Sequence, residues 1–207
     1  MKKTLERIYR PVNPSPAAMI TTADENGKPN VLTLGEVFNI SIWEPVVVGL
    51  SIRKATYSHS LIEKTREFVI NYTTADLIEK TDLVGSISGL NGLDKFKEYG
   101  LTPLPALYVA PPLIEECPVN VECKVISIQD KSETGLTYDH DMILGEVVAM
   151  HADEDRLKAD GTLDMEKFSD LLVYLSDYYW TLGKIIDKHN YSRKQPVTMG
   201  MSDTPEE

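Results

Sequence analysis

Residues 46–72 read VVVGLSIRKATYSHSLIEKTREFVINY, and this stretch decides the fold. Val46-Val47-Val48-Gly49-Leu50-Ser51-Ile52 is a β-branched, apolar run of the length of a buried strand. Arg53, Lys54, Thr56, Tyr57, Ser58, His59 and Ser60 follow as a cluster of hydrogen-bond donors. Ser60 and Glu63 have the spacing of a capping box around Leu61 and Ile62, which predicts a short helix starting there. A second strand, Phe68 to Tyr72, closes the unit. Strand, basic hydroxyl-rich turn and helix N-terminus in that order suit a phosphate. The first N–H groups of a helix are unpaired, its dipole favours an anion, and a guanidinium grips two oxygens at once. A polar turn before a capped helix is also ordinary architecture. Two adjacent cations in a chain of net charge −11 tip the reading toward an anion site.

The chain of 207 residues suits one domain with appendages, large enough to bury roughly two-thirds of its unfolded surface. Its acidity argues against nucleic acid, because neutralising a phosphate backbone needs a basic face. Cys117 and Cys123 make no disulfide framework, which points to a reducing compartment. The N-terminus, MKKTLERIYRPVNP, carries charge but no apolar core of a signal peptide, and no apolar run reaches the ~20 residues of a membrane helix. A cytoplasmic protein without a membrane partner is expected.

Outward from the central stretch, Pro11, Pro14 and Pro16 mark an irregular lead-in. Ala17–Thr22 and Asn30–Val37 read as a hairpin turned by Asn26-Gly27. Gly35, inside Thr33-Leu34-Gly35, suggests a bulge or a close approach by a ligand. Ala75–Val84 reads as a helix, residues 85–89 as a flexible loop, and Asp94-Lys95-Phe96 as part of a short helix. Val119, Val121, Cys123 and Val125 alternate with polar residues, and the parity slips at Ile126 and Ile128 as a β-bulge would make it. Met142–Met150 is a further strand. Phe168, Leu172, Leu175, Tyr179, Leu182 and Ile186 recur at three and four, which predicts a helix. Turn-linked strands predict a mainly β fold, an antiparallel barrel with helical inserts. We divide the chain into a barrel domain over 1–152, a helical C-terminal extension over 153–190 packing on the barrel or a partner, and a polar tail over 191–207.

Asn30-x-x-Thr33, Ser51-Ile52-Arg53-Lys54, Ser58, Leu61-Ile62 and Glu67–Asn71 together resemble the flavin reductase-like proteins of the flavoredoxin type. The likeness continues through Gly85, Ser88-Gly89, Asp94-Lys95-Phe96, Gly100-Leu101-Thr102, Pro112-x-Ile114-Glu115, Glu122-Cys123, His140 and Gly145-Glu146-Val147, covering about residues 8–152. It implies an FMN-binding split β-barrel of Greek-key antiparallel type, usually a homodimer with flavin at or near the subunit interface. On that resemblance Thr33, Leu34 and Gly35 contact the flavin ring, and Ser51, Ile52, Arg53, Lys54 and Ser58 line the ribityl chain and phosphate. Ser88, Gly89 and Lys95 lie at the ring's other side, and His140 falls where a nicotinamide approaches.

The expected function is therefore an FMN-dependent oxidoreductase taking electrons from NADH, NADPH or another donor to a small-molecule or protein acceptor. The alternatives are a reductase for which flavin is a substrate, a non-enzymatic flavin-binding electron carrier, and a barrel holding another phosphate ligand such as pyridoxal phosphate or haem. Flavin chemistry asks few side chains to react, since the cofactor carries the electrons. The alternative to the clamp for Arg53 is a solvated turn residue, and for His140 a satisfied structural histidine is the usual reading. Cys123 falls on the apolar face, so a buried structural thiol is expected there rather than a redox pair. His59, His151 and His189 lack ligand spacing, and no metal site is expected.

Overall fold

A computed structural model describes residues 1–129 and 139–187. Among the described residues, twelve strands and three α-helices follow in order. A two-residue strand β1 (Ser15–Pro16) precedes the hairpin β2 (Ala18–Ala23) and β3 (Pro29–Leu34). Next come β4 (Val37–Ser41), β5 (Val47–Arg53), α1 (Tyr57–Thr65) and β6 (Glu67–Tyr72). Helices α2 (Ile78–Ser86) and α3 (Lys95–Tyr99) precede the short strands β7 (Pro103–Leu104) and β8 (Leu113–Ile114). Two long strands, β9 (Val119–Gln129) and β10 (His140–Ala152), lead to a terminal hairpin of β11 (Leu172–Leu175) and β12 (Tyr178–Thr181).

Seven strands form one antiparallel sheet in the order β3-β2-β6-β9-β10-β5-β4. Its two edges, β3 and β4, are consecutive in the chain and joined by Gly35 and Glu36 alone. A flat sheet would hold those edges six spacings apart, ~29 Å, whereas the link from Leu34 to Val37 spans at most ~11 Å. The sheet must therefore curl until its edges meet, and because β3 and β4 do not pair, the barrel stays split.

One core fills the curl. Ile20, Leu50, Ile52, Phe68, Ile70, Cys123 and Ile143 are buried there, with Ile62 of α1 and Phe168 from beyond the sheet. A second cluster of Met19, Val31, Val84, Phe96 and Ile114 seats α2 and α3 on the outer face of β2 and β3. Buried Asn71 stitches this side together: its amide donates to Met19 O at 3.0 Å, and its oxygen accepts from Ile114 N at 3.1 Å and Asn120 Nδ2 at 2.9 Å. The parity slip in β9 is a true bulge, since Leu144 faces Ser127 while Gly145 faces Val125, leaving Ile126 unpaired in the register.

Three expectations need correction. The cap of α1 is Thr56, whose Oγ1 accepts from His59 N at 3.2 Å, so Ser60 lies inside the helix and its hydroxyl donates to Tyr57 O. Helix α2 runs on through Gly85 and Ser86, shortening the expected loop. The helix expected from Phe168 onward is instead a 3₁₀ turn at Met165–Lys167 followed by the β11–β12 hairpin, so within the described residues the C-terminal extension contains no α-helix. The hairpin turns at Ser176 (φ 57°) and pairs with β1, Ser15 opposite Tyr174. The tail at 191–207, His189, and Tyr138 lie outside the described residues. No helix of the described residues is long and apolar enough to cross a membrane.

Candidate functional site

Where β3 and β5 face each other across the split, with α1 and α2 at the sides, a cleft of about 420 Å³ opens, within the range that small ligands and cofactors occupy. Thr33, Leu34, Ile52, Arg53, Ser58, Ser88, Gly89, Lys95 and His140 all line it. Gly35, Ser51 and Lys54 do not. Gly35 is buried beneath a side chain instead: a Cβ there would stand 2.9 Å from Cδ2 of Tyr174. Ser51 alternates with Leu50 and Ile52, both fully buried in the core, so its side chain takes the opposite face of β5. Lys54 turns aside to Asp141, its Nζ 3.4 Å from Oδ1 without hydrogen-bond geometry.

One end of the cleft is the N-terminus of α1. Thr56 and Tyr57 line it with Ser58, and the first-turn N–H groups have no intrahelical acceptor. Ser58 is 2% exposed, and its hydroxyl oxygen accepts from Asn30 Nδ2 at 2.7 Å. That leaves the Ser58 proton free to donate. Arg53 guards the same end, but its Nε is 2.8 Å from Asp139 Oδ2 and its side chain is 59% exposed. His140 stands opposite Arg53 in the β10–β5 register, and its Nδ1 is 2.8 Å from the other oxygen of Asp139. The hydrogen bond from His140, with Arg53 beside it, holds the Asp139 carboxyl below its ordinary range. Behind the helix start, the buried His59 and Asp141 pair at 2.8 Å, fastening α1 to β10.

The other end is built around Lys95. Its buried ammonium donates to Val31 O at 2.9 Å and Val84 O at 2.8 Å, joining β3, α2 and α3. Desolvation lowers its pKa to about 8. Thr33 spends its hydroxyl proton on Thr81 O, so it offers a bound molecule its oxygen and backbone rather than a donor. Gly89 approaches Asn30 and Tyr57 so closely that a Cβ would lie 2.2 Å from Asn30 Oδ1. Among the described residues no cluster of His, Cys, Asp and Glu could hold a metal ion. Cys117 and Cys123 are free and buried, and burial pushes both thiols up, away from reactivity.

Sequence reasoning had Thr56 and Tyr57 in the donor cluster and Asn30 in the resemblance, but it gave Asn30 no orienting role and missed Ala55 on the cleft wall. The signal for Thr56 was present, since threonine three residues before His59 is a cap as good as Ser60. Nothing local in the sequence marks the contact of Asn30 with Ser58, which bridges 28 positions.

A curled antiparallel sheet whose edges meet without pairing is a split β-barrel, here with a cleft in the split beside the start of α1. The chain belongs to the flavin reductase-like domain family, whose model matches residues 9–182. An uncharacterized protein of Archaeoglobus fulgidus is 33% identical over 138 residues, covering 67% of this chain and 72% of its own. Among solved structures, the flavoredoxin of Desulfovibrio vulgaris (Miyazaki F) superposes with a TM-score of 0.81 at 27% identity, covering 93% of this chain and 99% of its own. An FMN-binding protein from Thermus thermophilus, at 20% identity, shares the fold with a TM-score of 0.72 over 91% of this chain and 97% of its own.

Proposed function

We propose that this protein is an FMN-dependent oxidoreductase that takes electrons from NADH, NADPH or another donor and passes them to an acceptor. The observation that carries the reading is the convergence of the α1 N-terminus, the oriented Ser58 hydroxyl and Arg53 at one end of a cleft whose far end holds Lys95. These donors suit a phosphate at one end of an elongated molecule and hydrogen-bond acceptors at the other. In this reading Ser58, Arg53 and the first N–H groups of α1 hold the phosphate, while the Thr56 hydroxyl and N–H are both given to Arg53 O, and Ile52, Leu34 and Thr33 line the path to the ring. Ser88 and Lys95 meet the ring's edge, while Gly89, packed against Asn30 and Tyr57, adjoins the phosphate end. The buried Lys95 presents a positive charge in a dry setting, where it favours electron density on whatever faces it. FMN supplies the reversible acceptance of electrons that no side chain of this cleft could provide. His140, at the mouth and tied to Asp139, positions the nicotinamide donor rather than moving a proton. A homodimer in the cytoplasm, with flavin near the subunit interface, completes the proposal.

One observation favours a second reading, in which flavin is an exchangeable substrate. Arg53 is more than half exposed and already paired with Asp139, so the phosphate end grips weakly. The absorption spectrum of the protein as purified separates the two. Flavin bands surviving dialysis support a prosthetic group; a colourless protein that binds added FMN reversibly supports exchange; a protein that binds no FMN by fluorescence quenching overturns both. Anaerobic addition of NADH or NADPH to the FMN-loaded protein should bleach the flavin bands, and no bleaching with either removes the nicotinamide donor.

A further inference from the structure

A second cleft, of about 350 Å³, adjoins the first and shares the wall of Thr33, Gly85 and Ser86 with it. Its own lining comes from the irregular lead-in and the β11–β12 hairpin, segments that the FMN reading leaves unused. Arg10 is held over the Tyr174 ring, its guanidinium carbon 5.1 Å from the ring centroid, and 5.9 Å from that of Tyr9. The Arg10 Nη1 is buried and has no hydrogen-bond partner among the described residues. A desolvated guanidinium nitrogen with no acceptor is a site awaiting one, since guanidinium only donates.

The hydroxyls of the two tyrosines are already engaged. Tyr179 donates to Asp82 Oδ1 at 3.1 Å, and its oxygen stands 3.1 Å from the Tyr174 hydroxyl. With the Tyr179 proton given to Asp82, Tyr174 donates to Tyr179, so neither tyrosine has a proton to offer. The two rings pack tilted, centroids 4.8 Å apart, and Tyr174 is propped by the close approach of Gly35. They form a fixed aromatic wall beside one cation. Asp82 and the exposed Asp177 also line the cleft and Arg10 is the one cation among its lining residues, so an anion is held through Arg10 alone and each further negative charge is opposed by the two acids.

We propose that this cleft is a binding subsite for a small planar monocarboxylate, with its carboxylate on Arg10, its ring against Tyr174 and Tyr179, and its far edge toward the shared wall. Resting on the FMN reading, this places such an acid next to the cofactor, as the substrate side of the same reaction centre. A multiply charged ligand is disfavoured by the two acids, and a neutral planar one leaves Arg10 unanswered.

Calorimetric titration of the full-length protein, with and without added FMN, tests the subsite with benzoate, benzamide and phthalate as probes. Benzoate should bind about tenfold or more tightly than benzamide, the worth of one charge-assisted pair, and more tightly than the dianion phthalate. Arg10→Gln should abolish the preference for benzoate over benzamide while leaving FMN affinity unchanged. Arg10→Lys, which keeps the charge without the fork, should retain part of it. If benzoate does not bind at millimolar concentration, or benzamide matches it, or Arg10→Gln keeps the preference, the subsite is refuted. The comparison of probes on the unaltered protein decides the matter even if a variant folds poorly. FMN titration of the same samples keeps the two readings apart: benzoate binding without FMN binding sinks the cofactor assignment alone, and the reverse sinks the subsite alone.

Discussion

Arg53 and Asp139 form an ion pair at 2.8 Å at the mouth of the cleft, so the residue best placed to clamp a phosphate is already held by a carboxylate. An incoming anion competes with Asp139 for the same guanidinium. Removing the competitor should help: Asp139→Asn is expected to tighten FMN binding by a few-fold, and Arg53→Ala to weaken it by about 1 kcal/mol, the modest worth of an exposed charge pair. Fluorescence-quench titrations read both. If Asp139→Asn weakens binding, Asp139 positions Arg53 instead of competing for it.

Gly89 faces a tighter constraint. Its missing Cβ leaves room for Asn30, and Asn30 in turn orients Ser58. Gly89→Ala should therefore displace Asn30 and reduce FMN affinity about tenfold, and because Asn30 is buried and bonded to Ser58 and Thr22 it should also lower the thermal midpoint. An alanine variant with native affinity would show that Asn30 moves aside without consequence.

Lys95 gives the cleft a signature in pH. Burial lowers its folded pKa to about 8, below the ordinary 10.5. Between those values the unfolded chain binds more protons than the native one, so the destabilisation due to Lys95 is fully present below the folded pKa and disappears as pH rises toward the unfolded one. Urea unfolding should show the wild type gaining on Lys95→Met by on the order of 2 kcal/mol across that window. The difference between the two proteins is the quantity to read, because the buried thiols Cys117 and Cys123 act in the opposite direction in both. A flat difference would mean that Lys95 titrates as an exposed lysine does.

Glu122 is also shifted downward, but here the fold favours the charged form. Burial acts to raise its pKa, but hydrogen bonds from the backbone N–H groups of Leu107 and Tyr108 and from His151 outweigh it, and the net shift is downward. Its stabilising effect is present above the ordinary carboxylate range of about 4 and is lost as pH falls through the lowered native value. Glu122→Gln leaves one of these donors unmatched, at a cost of about 2 kcal/mol, and should make the 103–112 connection easier to cleave. Limited proteolysis of the two proteins at neutral pH checks this.

Much of the barrel was legible because its strands announce themselves by composition and alternation: Val46–Ile52 is rich in β-branched and apolar residues, and the slip at Ile126 marks its own bulge. The terminal hairpin was not. Leu172, Leu175, Tyr179 and Leu182 satisfy a helical spacing, yet the run Tyr178-Tyr179-Trp180-Thr181 after the Ser176-Asp177 turn is equally a strand. Pairing with Ser15 and Pro16, far away in sequence, decides between them. The cleft was legible where motif and chain neighbours coincide, as at Arg53, Ser58 and Lys95. It was illegible where a side chain's direction depends on strand parity, as at Ser51, or on a distant partner, as with Lys54 and Asp141.

The two-residue link through Gly35 and Glu36 sets the aperture of the whole molecule. It tethers β3, one jaw of the cleft, to β4 and through it to β5, the other jaw, so the gap between them has a fixed width that no ligand can stretch far. Admission by size is then written into the length of a connector rather than into any side chain. An inserted residue there would loosen selectivity before it lowered the melting temperature.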